Sequence, residues 1–251
     1  LAFHVLVGIG RAFDNGGPST RSLRMYVLYI ANKNYSSWSL RPWVLLRELH
    51  IDFEEALKPF QPGSNWDQFR TFSPSGKVPC LADGGRAVWD SLAIAEYLAE
   101  RHEGVWPANV DARAWARCAA AEMHSGFSTL RETCPMCCAI RLRLSTITPA
   151  LESDLRRIEE LWIEGLNRFG GPFLAGDRFT AVDAFFAPVA FRTQSYHLEF
   201  ARPAADYVQR LLDLPSMQEW YAAGLAEPWR DARHDIEIAK QGTIIADLRT
   251  G

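Results

Sequence analysis

The sequence predicts an α/β unit followed by an all-α unit. Three observations carry that reading. From Met25 onward, short β-type runs alternate with segments of helical spacing over about 80 residues. A stretch holding Gly104 and Trp106-Pro107 then interrupts the pattern. Beyond it, apolar residues recur three and four positions apart in successive segments. With 251 residues, 48% of them hydrophobic, the chain can bury one large or two modest cores.

Residues 25–31 read as a buried strand, because Val27, Leu28, Tyr29 and Ile30 form a short apolar run. A polar loop, 32–39, follows. Residues 40–50 carry Trp43, Leu45, Leu46 and Leu49 at helical spacing. Ser39 is the expected N-cap, and Pro42 falls in the first turn, where its missing N–H costs little. A second strand is expected at 53–59 and a short helix at 64–72. Asp83-Gly84-Gly85 is a hairpin turn signal between strands at 78–82 and 86–89. Residues 91–101 return to helical spacing through Leu92, Ala95 and Leu98. The order β-α-β-α-β-β-α implies a right-handed crossover, a hairpin and a closing helix on a mixed four-stranded sheet. That is the thioredoxin-like arrangement, assigned here to 25–104.

Residues 104–110 read as a linker and 111–251 as an all-helical C-terminal domain. Its first helix, 111–131, is Ala-rich and should end before Pro135. A second, 149–169, is stopped by Gly170-Gly171-Pro172. Thr180-Ala181-Val182-Asp183 is a capping-box pattern for a helix running to about residue 193. Shorter helices are expected at 204–212 and 215–226. Residues 1–24 precede the first methionine, Met25. Their apolar start lacks a basic leading region, so they read as a disordered or loosely docked extension rather than a signal peptide.

Composition excludes several classes. Net charge is −3 and no Lys/Arg run stands out, so nothing argues for nucleic acid or an anionic membrane surface. No apolar stretch approaches the roughly 20 residues of a membrane span. The five cysteines are odd in number and clustered, unlike a secreted disulfide framework, which makes a reducing cytoplasm the expected setting. Cys134-Pro135-Met136-Cys137-Cys138 lacks a second ligand pair at metal-site spacing, so these read as incidental thiols and no metal is expected.

Three short motifs carry the chemistry. Tyr35-Ser36-Ser37-Trp38-Ser39 puts hydroxyls in a loop between a strand and a helix. Val78-Pro79 offers an extended backbone edge. Asp90-Ser91 places a carboxylate and a hydroxyl where a helix begins. A hydroxyl for a sulfur anion, an edge for a peptide and a helix start for a carboxylate are what bound glutathione needs. Each motif also has a plainer reading, as turn, strand-start or cap residues. Arg41 is either a second source of positive field at the sulfur or a solvated first-turn residue.

These residues resemble the glutathione transferase family over roughly 25–229. Ser36-Ser37-Trp38-Ser39-Leu40-Arg41 resembles the Ser-Ser-Cys-Ser-Trp-Arg loop of the zeta class. Ser73-Pro74-Ser75-Gly76-Lys77-Val78-Pro79 is similar to that class's Asn-Pro-x-x-x-Val-Pro segment, and Asp90-Ser91-Leu92-Ala93-Ile94-Ala95-Glu96-Tyr97-Leu98 to the family's Glu/Gln-Ser-x-Ala-Ile-x-x-Tyr-Leu. Residues 173–183 resemble its Phe-Leu-x-Gly-x-x-Phe-Ser-x-Ala-Asp run. Trp38 departs from the zeta pattern by replacing its cysteine, so enzyme thiol-disulfide chemistry is not expected.

The resemblance implies conjugation of the glutathione thiolate to small apolar electrophiles, with zeta-like isomerisation or dehalogenation, or a non-catalytic binding module, as the alternatives. It implies Ser36, aligned best, or Ser37 as the thiol-activating hydroxyl. A cis Val78-Pro79 bond would pair Val78 with the cysteinyl backbone. Ser91 would hold the γ-glutamyl carboxylate, Asp90 would face the α-amino group, and Lys77 would reach a carboxylate or remain solvated. Met123, His124, Phe127 and Arg131 share a helical stripe that would wall the second-substrate pocket, closed by Tyr35 and Trp38; the plainer reading of that stripe is core. Glutathione is the implied cosubstrate and a homodimer the implied assembly. Thr180 and Asp183 read as folding determinants.

Overall fold

The computed structural model describes residues 25–250. The expectation for residues 1–24 lies outside them. Strand β1 (Tyr26–Ile30) is central to a four-stranded sheet of order β2-β1-β3-β4. It pairs parallel with β2 (Phe53–Leu57) and antiparallel with β3 (Cys80–Asp83), which pairs antiparallel with β4 (Arg86–Val88). Helices α1 (Ser37–Glu48), α2 (Trp66–Arg70) and α3 (Ser91–Ala99) complete the thioredoxin-like unit.

Helix α1 begins three residues before the expected start. Ser36, not Ser39, is its N-cap: the Ser36 Oγ accepts from the Ser39 N–H at 3.4 Å. Ser39 is fully buried in the first turn, and its Oγ receives the Ala31 N–H at 3.2 Å, tying strand to helix. Pro42 therefore sits inside the helix rather than in its first turn, where its ring removes the bond that an N–H would make to the Trp38 carbonyl.

The helical part opens with α4 (Val110–Ser125) and α5 (Ser128–Thr133). The single helix expected at 111–131 is broken at Gly126, whose extended backbone takes no side chain: a Cβ there would lie 2.9 Å from the Glu122 carbonyl oxygen. Arg131 folds back across the break. Its guanidinium donates to the carbonyls of Gly126 (3.0 Å), His124 (3.3 Å) and Met123, supplying partners that the end of α4 lacks. Helices α6 (Pro149–Phe169), α7 (Ala181–Tyr196), α8 (Ala204–Leu212) and α9 (Pro215–Ala226) follow, and the Thr180–Asp183 capping box opens α7 as expected.

The helical part is not purely helical. Strand β5 (Ile140–Leu144) pairs antiparallel with β6 (Gly242–Asp247), and α10 (Ala232–Ala239) precedes β6. Alternation in Ile140-Arg141-Leu142 buries Ile140 and Leu142, but the partner strand lies about a hundred positions away, out of reach of any local pattern.

The two parts share one core. α1 packs on both α3 and α7, and Trp43 meets Trp220 edge to face at 5.1 Å. The loop between β1 and α1 is held from both sides: Asn32 Oδ1 accepts the Phe60 N–H at 2.7 Å and Lys33 pairs with Glu55 at 2.8 Å, and the helical part supplies the rest. Glu227 accepts the Lys33 and Asn34 N–H groups at 2.6 and 3.2 Å, and Trp220 Nε1 donates to the Lys33 carbonyl at 2.8 Å. Asn34 Oδ1 accepts the Ala139 N–H at 3.0 Å, and the Asn34 carbonyl accepts the Cys138 N–H at 3.1 Å.

Candidate active site

A cavity of about 740 Å³ opens where that loop faces α5, α7 and α10. It gathers Tyr35, Ser36, Ser37, Trp38, Lys77 and Val78 from the expected site residues, and Arg131 from the expected stripe. Pro79, Asp90, Ser91, Met123, His124 and Phe127 are not among its lining residues. The break at Gly126 explains the stripe. Met123 stays in the core, fully buried, and Phe127 turns into a left-handed conformation (φ 58°) that starts a new helix.

The two candidate serines differ in what they already do. Ser36 Oγ donates to Ser39 Oγ at 2.7 Å, so its proton is engaged. Ser37 begins α1 and lines the cavity, and its hydroxyl has no hydrogen-bond partner among the described residues. The start of α1 adds partial positive charge at this point.

Arg41 is not a solvated residue. It is 1% exposed, and none of its three guanidinium nitrogens has a hydrogen-bond partner. Its charge lies between the rings of Trp38 (4.2 Å) and Phe185 (4.9 Å). Burial, with help from Arg131 and Arg192 nearby, holds its pKa well below the usual arginine range.

Val78-Pro79 is cis, as the resemblance implies. Val78 has no backbone hydrogen-bond partner among the described residues, leaving its N–H and C=O available to a peptide. Asp90 caps α3 by accepting the Leu92 N–H at 3.0 Å, and its other oxygen lies 3.3 Å from His124 Nε2. His124 in turn meets the Trp38 ring edge to face at 5.3 Å, linking this end to the cavity wall. Burial pushes the His124 pKa down more strongly than Asp90 raises it. Ser91 is 1% exposed, and its Oγ is buried without a partner.

Sequence reasoning missed the far wall. His234 stacks on Tyr35 (5.2 Å) and Phe60 (5.3 Å), while the Tyr35 hydroxyl donates to Asp235. Arg249 donates to both Asp235 oxygens at 2.8 Å and to the Tyr35 oxygen at 3.0 Å. Arg192 also lines the cavity. A cation directly after the apolar stretch Ala187-Pro188-Val189-Ala190-Phe191 is the signal that could have found it.

The N-terminal domain of the glutathione S-transferases matches residues 35–101, and their C-terminal domain matches residues 139–223. The chain belongs to the glutathione S-transferase family. A probable maleylacetoacetate isomerase of Caenorhabditis elegans is 24% identical over 203 residues, 76% of this chain and 90% of that protein. A dichloromethane dehalogenase of Methylorubrum extorquens is 37% identical over 59 residues, 23% of this transferase-family chain and 20% of the dehalogenase. A glutathione transferase homologue from Burkholderia, solved with bound glutathione, superposes with a TM-score of 0.61 at 23% identity, covering 80% of this chain and 98% of the other. That structure shares the fold: a thioredoxin-like unit followed by a helical one. Among the described residues no group of three or more His, Cys, Asp or Glu is placed to hold a metal ion, and no helix is long and apolar enough to cross a membrane.

Proposed function

We propose that this family member conjugates the glutathione thiolate to small apolar electrophiles. The observation that carries the reading is the free Ser37 hydroxyl at the start of α1, lining the same cavity as Val78 with its unpartnered backbone. An ordinary thiol titrates near 8.5, leaving only a few per cent as thiolate at pH 7. Lowering that value by about two units takes roughly 2.7 kcal/mol of preferential stabilisation. One hydroxyl donating to sulfur and a helix N-terminus are together sources of that size. Ser36 takes the same role only by releasing Ser39, so the geometry favours Ser37 while the alignment favours Ser36.

In the proposed step the thiol proton leaves to solvent. The thiolate sulfur then forms a bond to the electrophilic carbon, and the leaving group departs with its bonding pair. The protein contributes alignment of the two reactants as well as the anion. Val78 would pair with the cysteinyl backbone, and the orphaned Ser91 hydroxyl would receive the γ-glutamyl carboxylate beside Asp90. Lys77, exposed at the cavity edge, would meet a second carboxylate.

Glutathione-dependent isomerisation or dehalogenation is the second reading, supported by the names of the two relatives above. Cytoplasmic residence and a homodimer belong to the same proposal. The five free cysteines fit a reducing compartment. The test is calorimetric titration with glutathione together with a chlorodinitrobenzene conjugation assay. Binding with turnover is the expected result. Binding without turnover favours the non-catalytic module, and absence of heat at millimolar glutathione overturns the reading.

A further inference from the structure

The helical wall of the cavity carries two arginines without a salt-bridge partner among the described residues, Asp154 acting on one of them, Arg131, only through its charge. Arg192 projects from α7 and is 3% exposed. Its Nε donates to the Cys134 carbonyl at 2.8 Å, which fixes the plane of the guanidinium, and its Nη1 is buried with no partner. Arg131 lines the same cavity, with Nε and Nη2 bound to the carbonyls at the end of α4. Neither forms an ion pair among the described residues. Glu132 and Glu237 also line the cavity but are exposed residues, and neither pairs with these arginines.

Two like charges held near one another, Arg192 buried and Arg131 half-buried, are costly unless an anion joins them. Each is locked by hydrogen bonds to backbone carbonyls, so neither can swing out to water without breaking them. Burial and the Arg131 charge lower the Arg192 pKa to about 10, which still leaves it a cation at neutral pH. Both residues come from the helical part, across the cavity from Val78. Pro135 and Met136 line the wall beside them, and Trp38 stacks against Arg131 at 4.8 Å. The combination is an apolar seat with a fixed cationic end, which suits a planar guanidinium holding a carboxylate.

We infer that the second substrate is an apolar electrophile bearing a carboxylate, which docks on Arg192 and Arg131 while its reactive carbon faces Ser37. The inference rests on the proposed glutathione chemistry but is tested separately. The probes are the glutathione conjugate of chlorodinitrobenzoate, the same conjugate as its aryl methyl ester, glutathione alone, and unconjugated chlorodinitrobenzoate and its methyl ester. Each is titrated calorimetrically into the full-length protein and into Arg192→Gln.

The acid conjugate should bind the unmodified protein about tenfold or more tighter than the ester, equivalent to about 1.4 kcal/mol. In Arg192→Gln that preference should fall below about twofold, with glutathione affinity unchanged. Equal binding of acid and ester by the unmodified protein overturns the subsite. So does an Arg192→Gln variant that weakens glutathione as much as the acid conjugate, because the arginines would then serve the tripeptide's own carboxylate. If Arg192→Gln fails to fold, the acid-to-ester ratio of the unmodified protein decides alone. Should glutathione not bind while chlorodinitrobenzoate binds and its methyl ester does not, the conjugation reading falls and the anion subsite stands.

Discussion

The Tyr35 phenol donates to the Asp235 carboxylate at 2.9 Å, joining positions 200 apart in the chain. Tyr35 belongs to the serine loop and Asp235 to α10, so this contact fastens the C-terminal segment to the site. Burial and Asp235 push the Tyr35 pKa up to about 12, so the phenol stays a neutral donor at working pH.

A double-mutant cycle of Tyr35→Phe and Asp235→Asn should give a coupling of about 1 kcal/mol in urea unfolding. Additive losses would mean that Arg249 and the His234 stack hold the segment without this bond.

Ser37→Ala and Ser36→Ala should separate two roles. Ser37→Ala is expected to raise the pKa of bound glutathione, read by ultraviolet thiolate titration, with little change in stability. Ser36→Ala should cost about 1 kcal/mol as a lost N-cap. A thiol shift in the Ser36 variant alone would move the donor role to Ser36.

Ser91→Ala should act in opposite directions on folding and binding. Its Oγ is a buried orphan, so removing it should leave stability unchanged or slightly higher. Glutathione affinity should fall by about 1–3 kcal/mol, the range for a hydrogen bond to a charged group. Calorimetry and urea melts check the two halves, and an unaltered affinity would remove Ser91 from the site.

Asp183 sets a pH dependence. Complete burial raises its pKa from 3.8 to about 6, against donors from Leu174, Thr180 and Tyr207. A folded pKa above the unfolded one means that the folded state holds the proton more tightly. The contribution is full below pH 4 and is lost as pH rises through 6, by about 3 kcal/mol in total. Asp183→Asn should flatten that slope in urea unfolding between pH 4 and 7. A slope shared unchanged by both proteins would assign it to other groups.

Gly76 precedes Lys77 and has φ +63°, and a Cβ there would meet the Trp66 ring at 2.5 Å. Gly76→Ala should cost about 1 kcal/mol or more and raise the KM for glutathione by displacing Trp66 and the strand edge behind it. Unaltered thermal melts and kinetics would show that the turn relaxes freely.

The sequence made the element order of the four-stranded unit legible, and it placed α6, α8 and α9 to the residue. Pro149 and Pro215 mark two of those starts, and Gly170-Gly171-Pro172 stops the first, all local signals. The serine loop and the capping box are likewise local, whereas the cis bond is implied by the family resemblance. What was not legible depends on distant partners. Ile140–Leu144 alternates like a strand, but its meaning comes from Gly242–Asp247. For Arg41 the sequence leaves a positive field at the sulfur and a solvated first-turn residue equally open, and only the closure of Trp38 and Phe185 over it makes it a buried residue. Arg192 lies on α7 like its apolar neighbours, and it is the packing of α5 and the serine loop that puts it at a cavity.

Glu227, Trp220 and the Ala139 amide hold a loop that the first third of the chain encodes. Chimeras that join this front half to a relative's back half should therefore lose the site unless they import the same clamps. For the same reason a genetic drift in Glu227 would be felt as a change in chemistry, although that carboxylate is not among the residues lining the reaction chamber.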